Sequence, residues 1–115
     1  MSENKPQIKQ YASALIALGQ GAQSLARLEK EMISVLELFK KQEDLSTFIA
    51  NPAITKEGKN KTLQQTLNGK IHPVLLHFLQ ILVEENLFMH LEPIAESFFK
   101  EIALMKQKAS GELVS

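Results

Sequence analysis

The chain has 115 residues, enough for one compact domain, and 44% of them are hydrophobic, which permits a real core and argues against wholesale disorder. Thirteen basic and 13 acidic residues cancel to a formal charge of zero, without the basic excess of a nucleic-acid binder, and Arg27 is the only arginine. With no cysteine, disulfides, thiolate zinc sites and cysteine nucleophiles are excluded. The opening Met1-Ser2-Glu3-Asn4-Lys5-Pro6 has neither the charged-then-apolar run of a signal peptide nor the arginines of a transit peptide, so it reads as a cytosolic chain.

Six helical segments can be marked in order. In the first, Asn4 can cap, Pro6 suits the first turn and Gln7 can complete a capping box; it runs to Leu18 and stops at Gly19-Gln20-Gly21. The second, about 22–41, places Leu25, Leu28, Met32, Val35, Leu36 and Phe39 on one stripe, with Arg27-Glu31 and Glu37-Lys41 at i,i+4 on the wet side. A short third helix starts at Asp44 as its cap, buries Leu45, Phe48 and Ile49, and halts at Asn51-Pro52. The fourth, about 55–67, is weaker, with Gly58 inside it and only Leu63 and Leu67 as a stripe before Asn68-Gly69.

Pro73 begins the fifth helix, and Asn86 is placed to end it in the left-handed conformation. The sixth begins near Glu92, beside Pro93, and turns Leu91, Ile94, Phe98, Ile102 and Met105 inward. The tail Ala109-Ser110-Gly111-Glu112-Leu113-Val114-Ser115 differs in character, either a frayed terminus or the first residues of a further domain. With no run of alternating β-branched residues and no repeat, the expected fold is all-α, a compact bundle of six short helices.

The fifth helix carries the most information. Of the ten residues from Val74 to Val83 only His77 and Gln80 are polar, so the helix is apolar almost all the way round. It is too short to span a bilayer, which takes about 20 apolar residues. Either its own chain wraps it on every side, or one face is kept for another protein. Leu75, Leu79 and Leu82 can face inward while Phe78 and Ile81 point elsewhere. The first helix shows a similar excess: Ile8, Ala12 and Leu15 form one stripe with Ile16 beside it, and Tyr11, Ala14 and Leu18 form a second. Ala14 leaves a shallow depression where an amphipathic helix could lie. Spacing alone weighs a partner groove and a fully buried central helix about equally.

Chemistry is sparsely provided. Asp44 is the only aspartate, and His72 and His77 lie five apart across Pro73, outside metal-pair spacing, with His90 at the next junction. Gly19-Gln20-Gly21 has no preceding strand and reads as a helix stop rather than a phosphate cradle. Ser13 and Ser97 have no base placed by sequence. No enzyme, cofactor or metal site is expected. Lys56, Lys59, Lys61 and Lys70 form a mildly basic patch, best explained as a solvated face. Glu84 and Glu85 sit at the unfavourable negative end of the fifth helix's dipole, where a cation would relieve them.

Several motifs resemble, in order, the delta subunit of F-type ATP synthases, called the oligomycin-sensitivity-conferring protein in mitochondria. Tyr11-Ala12-Ser13-Ala14-Leu15 is similar to that family's Tyr-Ala-x-Ala-Leu opening, and Phe48-Ile49-Ala50-Asn51-Pro52-Ala53-Ile54 to its Phe-Leu-x-Asn-Pro-x-Ile turn, followed by Lys61-Thr62-Leu63. Phe78-Leu79-Gln80-Ile81-Leu82-Val83-Glu84 resembles its Phe-Leu-x-Leu-Leu-x-Glu helix, and Ile94-Ala95-Glu96-Ser97-Phe98 the next. The chain departs from the pattern at Gln10, where the family usually has arginine, and at Glu85-Asn86-Leu87-Phe88, where it often reads Asn-Gly-Arg-Leu.

The resemblance implies a non-catalytic peripheral-stalk subunit that lets proton flow drive ATP synthesis by keeping the catalytic head from turning with the rotor. It implies a six-helix N-terminal domain at residues 1–108, with 109–115 starting a linker to a C-terminal domain that would attach to the b subunits. The partner is the N-terminal helix of an alpha subunit, held between helices one and five. The residues expected there are Tyr11, Ala14, Leu15 and Leu18, with Phe78, Ile81, Leu82 and Glu85: Tyr11 an anchor, Ala14 the floor, the aliphatics the walls and Glu85 a rim charge. The subunit would be a monomer within the complex, peripheral on the cytoplasmic face of a bacterial membrane, without membrane insertion or nucleic acid. The competing reading is a small all-helical RNA-binding module of a transcription complex, mapped to Lys56, Lys59 and Lys61.

Overall fold

The computed structural model describes the backbone of residues 5–114 and the side chains of residues 8–107. Six α-helices are present: α1 (Lys5–Gly21), α2 (Leu25–Lys41), α3 (Glu43–Ala50), α4 (Lys56–Leu67), α5 (Pro73–Glu84) and α6 (Leu91–Val114), with a 3₁₀ turn at Phe88–His90 before α6. The all-α expectation holds. Asn4 and the side chains of Pro6 and Gln7 lie outside the described residues, and with them the expected capping box.

The core follows the apolar periodicities. α2 buries Leu28, Met32, Val35 and Phe39, while Leu25 and Leu36 are half-buried at its edges. α1 buries Ala12, Leu15 and Ile16, and α6 buries Leu91, Ile94, Ala95, Phe98 and Ile102. α1 lies chiefly along α6, and α5 packs on α4, α1 and α2. Met105 departs from the expected inward stripe: it is 37% exposed, although the next residue, Lys106, still reaches Glu29 of α2 at 3.3 Å. α5 is largely wrapped, with Leu75, Leu76, Phe78, Leu79, Leu82 and Val83 all buried.

The connections hold the differences from the sequence reading. Helix α1 does not stop at Leu18 but continues through Gly19 to Gly21. Gly19 is buried, and a Cβ there would lie 2.9 Å from Leu28 Cδ1 and 3.2 Å from the Leu25 Cα. Its missing side chain is what lets α2 start against α1. The turn is closed by the Ser24 N–H donating to the Gly19 carbonyl at 2.8 Å, with Gln23 at φ 55°, so α2 starts at Leu25 rather than Ala22. Within α2 the Arg27–Glu31 pair forms at 2.6 Å.

Asp44 is not the cap of α3. Gln42 occupies that position without a side-chain cap bond, and Glu43 and Asp44 lie in the first turn, where carboxylates favour the positive helix end. Thr55 caps α4 instead, its hydroxyl accepting from the Gly58 N–H at 3.1 Å, which tolerates the glycine in that turn.

Both ends of α5 are fixed by polar groups. His72 is its N-cap: Nδ1 accepts from the Val74 N–H at 3.0 Å, which leaves the proton on Nε2, 3.2 Å from the Ser24 hydroxyl. The Ser24 hydroxyl donates to the Ala22 carbonyl at 3.0 Å. The His72 backbone N–H donates to Glu31 at 2.6 Å, so one node ties the start of α5 to α2 and to the α1–α2 turn. At the other end Asn86 adopts φ 59°, as its position suggested. The Leu87 N–H reaches the Leu82 carbonyl at 2.7 Å and the Asn86 N–H the Val83 carbonyl at 3.1 Å, a Schellman closure.

Replacing Gly19 by valine is expected to destabilise the domain by about 2 kcal/mol, since Leu28 is fully buried and the Leu25 backbone cannot give way. Gly21→Ala, where nothing lies within 4 Å, is expected to be neutral or stabilising by up to about 1 kcal/mol. Paired chemical or thermal unfolding curves check both.

Candidate functional site

Helices α1 and α5 are in contact, and their shared edge carries the residues expected to form a partner site. Residues 11, 14 and 18 recur at i,i+3 and i,i+7 on α1, and 78, 81, 82 and 85 at the corresponding spacing on and just beyond α5. The structure divides these eight residues into two layers. Leu15, Phe78 and Leu82 are sealed at 0%, 1% and 0% exposure and belong to the core. Above them Tyr11 and Ile81 are half-buried, Ala14 and Glu85 are exposed, and Leu18 is 42% exposed.

The position of Phe78 is a correction. Spacing had it pointing away from the inward stripe with Ile81, yet only Ile81 reaches the surface. The cause is Tyr11, whose ring packs edge-on against Phe78 with centroids 6.4 Å apart and planes at 65°. α1 therefore roofs the part of α5 that the sequence left open. What remains accessible is a strip along the seam: Tyr11, Ala14 and Leu18 on one side, Ile81 and Glu85 on the other.

The electrostatics of the strip centre on Tyr11. Burial pushes its phenol above the ordinary tyrosine range, and the negative charge of Glu85 pushes in the same direction. Glu85 is thus close enough to Tyr11 to sense its charge. Its neighbour Glu84 turns away from the seam and accepts from Asn60 Nδ2 at 2.9 Å.

The remaining candidates are dispersed. Of the lysine patch, Lys56, Lys61 and Lys70 are exposed, but Lys59 is only 7% exposed. Sequence gave no hint of this beyond the placement of Lys59 four residues before Leu63, on the same helix face. His72 serves as a cap, His77 is exposed and His90 half-buried. Among the described residues, no group of three His, Asp or Glu side chains is placed to hold a metal ion, and no helix is long and apolar enough to cross a membrane.

The fold and the seam define an all-helical bundle with an apolar surface strip between its first and fifth helices. The ATP synthase delta (OSCP) subunit family model matches residues 8–115. The ATP synthase subunit delta of Gloeothece citriformis is 30% identical over 105 residues, covering 91% of this chain and 57% of that protein. That of a Synechococcus strain is 38% identical over 88 residues, 76% of this chain and 48% of that protein, and that of Leptospira biflexa is 28% identical over 107 residues. The chain belongs to the ATP synthase delta (OSCP) subunit family, and it spans about half the length of the curated relatives it matches.

For the raised Tyr11 phenol, the folded state holds the proton more tightly than the unfolded chain. Its contribution to stability is complete below the ordinary phenol range and is lost as pH rises through the raised folded value. Tyr11 is the only tyrosine, so phenolate absorbance titrates it alone. Glu85→Gln should move that titration downward but not back to the ordinary range, because burial remains the first cause. An unchanged titration would separate the two side chains.

Proposed function

We propose that this chain is a non-catalytic subunit of the peripheral stalk of a proton-translocating F-type ATP synthase, gripping the N-terminal helix of an alpha subunit along the α1–α5 seam. The observation that carries this reading is the strip itself: apolar Tyr11, Ala14, Leu18 and Ile81, left accessible in a member of the delta family and edged by a carboxylate. An amphipathic helix laid on it would bury the apolar side chains of both partners and offer a basic residue to Glu85. By holding the head against the drag of the rotor, such a grip would let proton flow be converted into ATP synthesis. The residues downstream of the bundle would lead to a C-terminal domain attached to the b subunits. The subunit would work as a monomer in the complex, peripheral on the cytoplasmic face of the membrane.

Stator duty requires slow release, not chemistry. Leu15, Phe78 and Leu82 are already buried, so they give a partner little direct contact and act as a stiff bed beneath the strip. The binding energy then falls on Tyr11, Leu18 and Ile81, at about 1.5–3 kcal/mol for each large side chain fully covered, before association costs. Ala14 has a particular place. Its small side chain, between Tyr11 and Leu18 on the exposed face, lets a second helix approach closely.

Ala14→Asp is therefore expected to weaken binding of an alpha-subunit N-terminal peptide by at least about 2 kcal/mol, since it sets an unpaired charge under the bound helix. The fold should survive because Ala14 is exposed. Calorimetric titration of the peptide into wild type and variant, with circular dichroism of both, is the measurement. Equal affinities would remove the seam as the binding site.

A further inference from the structure

The Asn68-Gly69 step that ends α4 carries chemistry of its own and shares no residue with the α1–α5 strip. Asn68 has φ −59° and ψ 129°, Gly69 has φ 80°, and the Lys70 N–H donates to the Leu67 carbonyl at 2.9 Å, which together make a type II turn. Asn68 is exposed, and its side-chain amide has no hydrogen-bond partner among the described residues. The Gly69 N–H is likewise held by no carbonyl there, and beyond its chain neighbours no atom lies within 4 Å of where a Gly69 Cβ would stand. The other asparagines among the described residues are placed differently. Asn51 precedes Pro52, which has no N–H, and its Oδ1 accepts from the Ala53 N–H at 2.9 Å. Asn60 lies inside α4 and donates to Glu84 at 2.9 Å. Asn86 precedes Leu87, whose N–H is engaged by the Leu82 carbonyl at 2.7 Å.

We propose that Asn68 is a site of spontaneous deamidation, converting to aspartate and isoaspartate through a ring closed with the Gly69 nitrogen. The Gly69 N–H gives its proton to hydroxide or water, and the nitrogen attacks the carbonyl carbon of the Asn68 side chain. A C–N bond forms there, the bond to the side-chain nitrogen breaks, and that nitrogen takes a proton from water and leaves as ammonia. Water then opens the succinimide at either of its carbonyls. One opening gives aspartate; the other gives isoaspartate, whose main chain runs through the former side chain. Glycine serves the closure twice. It sets no Cβ beside the attacking nitrogen, and it accepts φ of either sign. The 68–69 peptide plane can therefore turn while the Lys70–Leu67 bond stays closed, since type I and type II turns share that bond. The product carries a new negative charge at the end of α4, the unfavourable end of its dipole. Isoaspartate also adds a main-chain carbon between Leu67 and Ile71, both of which are buried. This site stands independently of the proposed stalk function.

The test is to hold the folded chain in mildly alkaline buffer at physiological temperature and to map its peptides by mass spectrometry over time. The peptide carrying Asn68 should gain the mass difference between a hydroxyl and an amine group, at least about tenfold faster than those carrying Asn51, Asn60 or Asn86. Fragmentation by electron transfer should show isoaspartate as well as aspartate at position 68, because direct hydrolysis of the side chain would give aspartate alone. Gly69→Ala should slow the change at Asn68 by about tenfold or more, since a Cβ crowds the attacking nitrogen. Circular dichroism checks that this variant folds despite its positive φ; if it does not, the order of reaction among the asparagines of the unaltered chain decides. An unchanged Asn68, another of these asparagines reacting as fast, aspartate without isoaspartate, or an unslowed and folded Gly69→Ala would overturn the assignment.

Discussion

Everything in this bundle answers to one constraint: α5 is apolar on nearly every side, and water must be kept from most of it. α4 covers one flank and α2 another, while α1 lies over the seam with the Tyr11 ring against Phe78. In so small a domain that enclosure uses most of the apolar faces of the neighbouring helices. α6 then closes the outer side of α1 and buries Ile94, Ala95, Phe98 and Ile102. The order of helices around α5 is the fold.

Apolar burial is non-directional, and it does not by itself say how far along its axis each helix sits. Short polar and steric fixtures at the corners supply that. His72 caps α5 while its backbone and ring bind Glu31 and Ser24, so the starts of α2 and α5 are set against one another. Asn86 closes the far end in a left-handed turn, from which the chain enters the 3₁₀ turn, where Phe88 meets Phe39 with ring centroids 5.1 Å apart. Gly19 lets α1 and α2 come within van der Waals distance. These fixtures set α1, α2 and α5 against one another along their axes.

The seam is what the enclosure of α5 leaves over. Its deep layer is shared with the core, so the strip is backed by side chains that cannot move without loosening the whole domain. The accessible layer is small, and its polarity changes from the apolar Leu18 and Ile81 to the carboxylate of Glu85 within the same seam. The family match, over residues 8–115, takes in both helices of the seam.

The amino-acid sequence determined the number of helices, their order and most of their inward faces, because a 3.6-residue apolar period and local caps and breakers act within a few residues. Asn86, Asn51-Pro52 and the stripe from Leu28 to Phe39 needed no knowledge of the rest of the chain. It also marked α1 and α5 as over-supplied with apolar surface. Only the tertiary structure decided which of those residues stay accessible: Phe78 and Ile81 are equivalent by period, and the Tyr11 ring from another helix seals one of them. The same holds for Gly19 and His72, which looked like a helix stop and an ordinary histidine. Their roles come from partners on other helices, and such contacts exist only once the helices have packed.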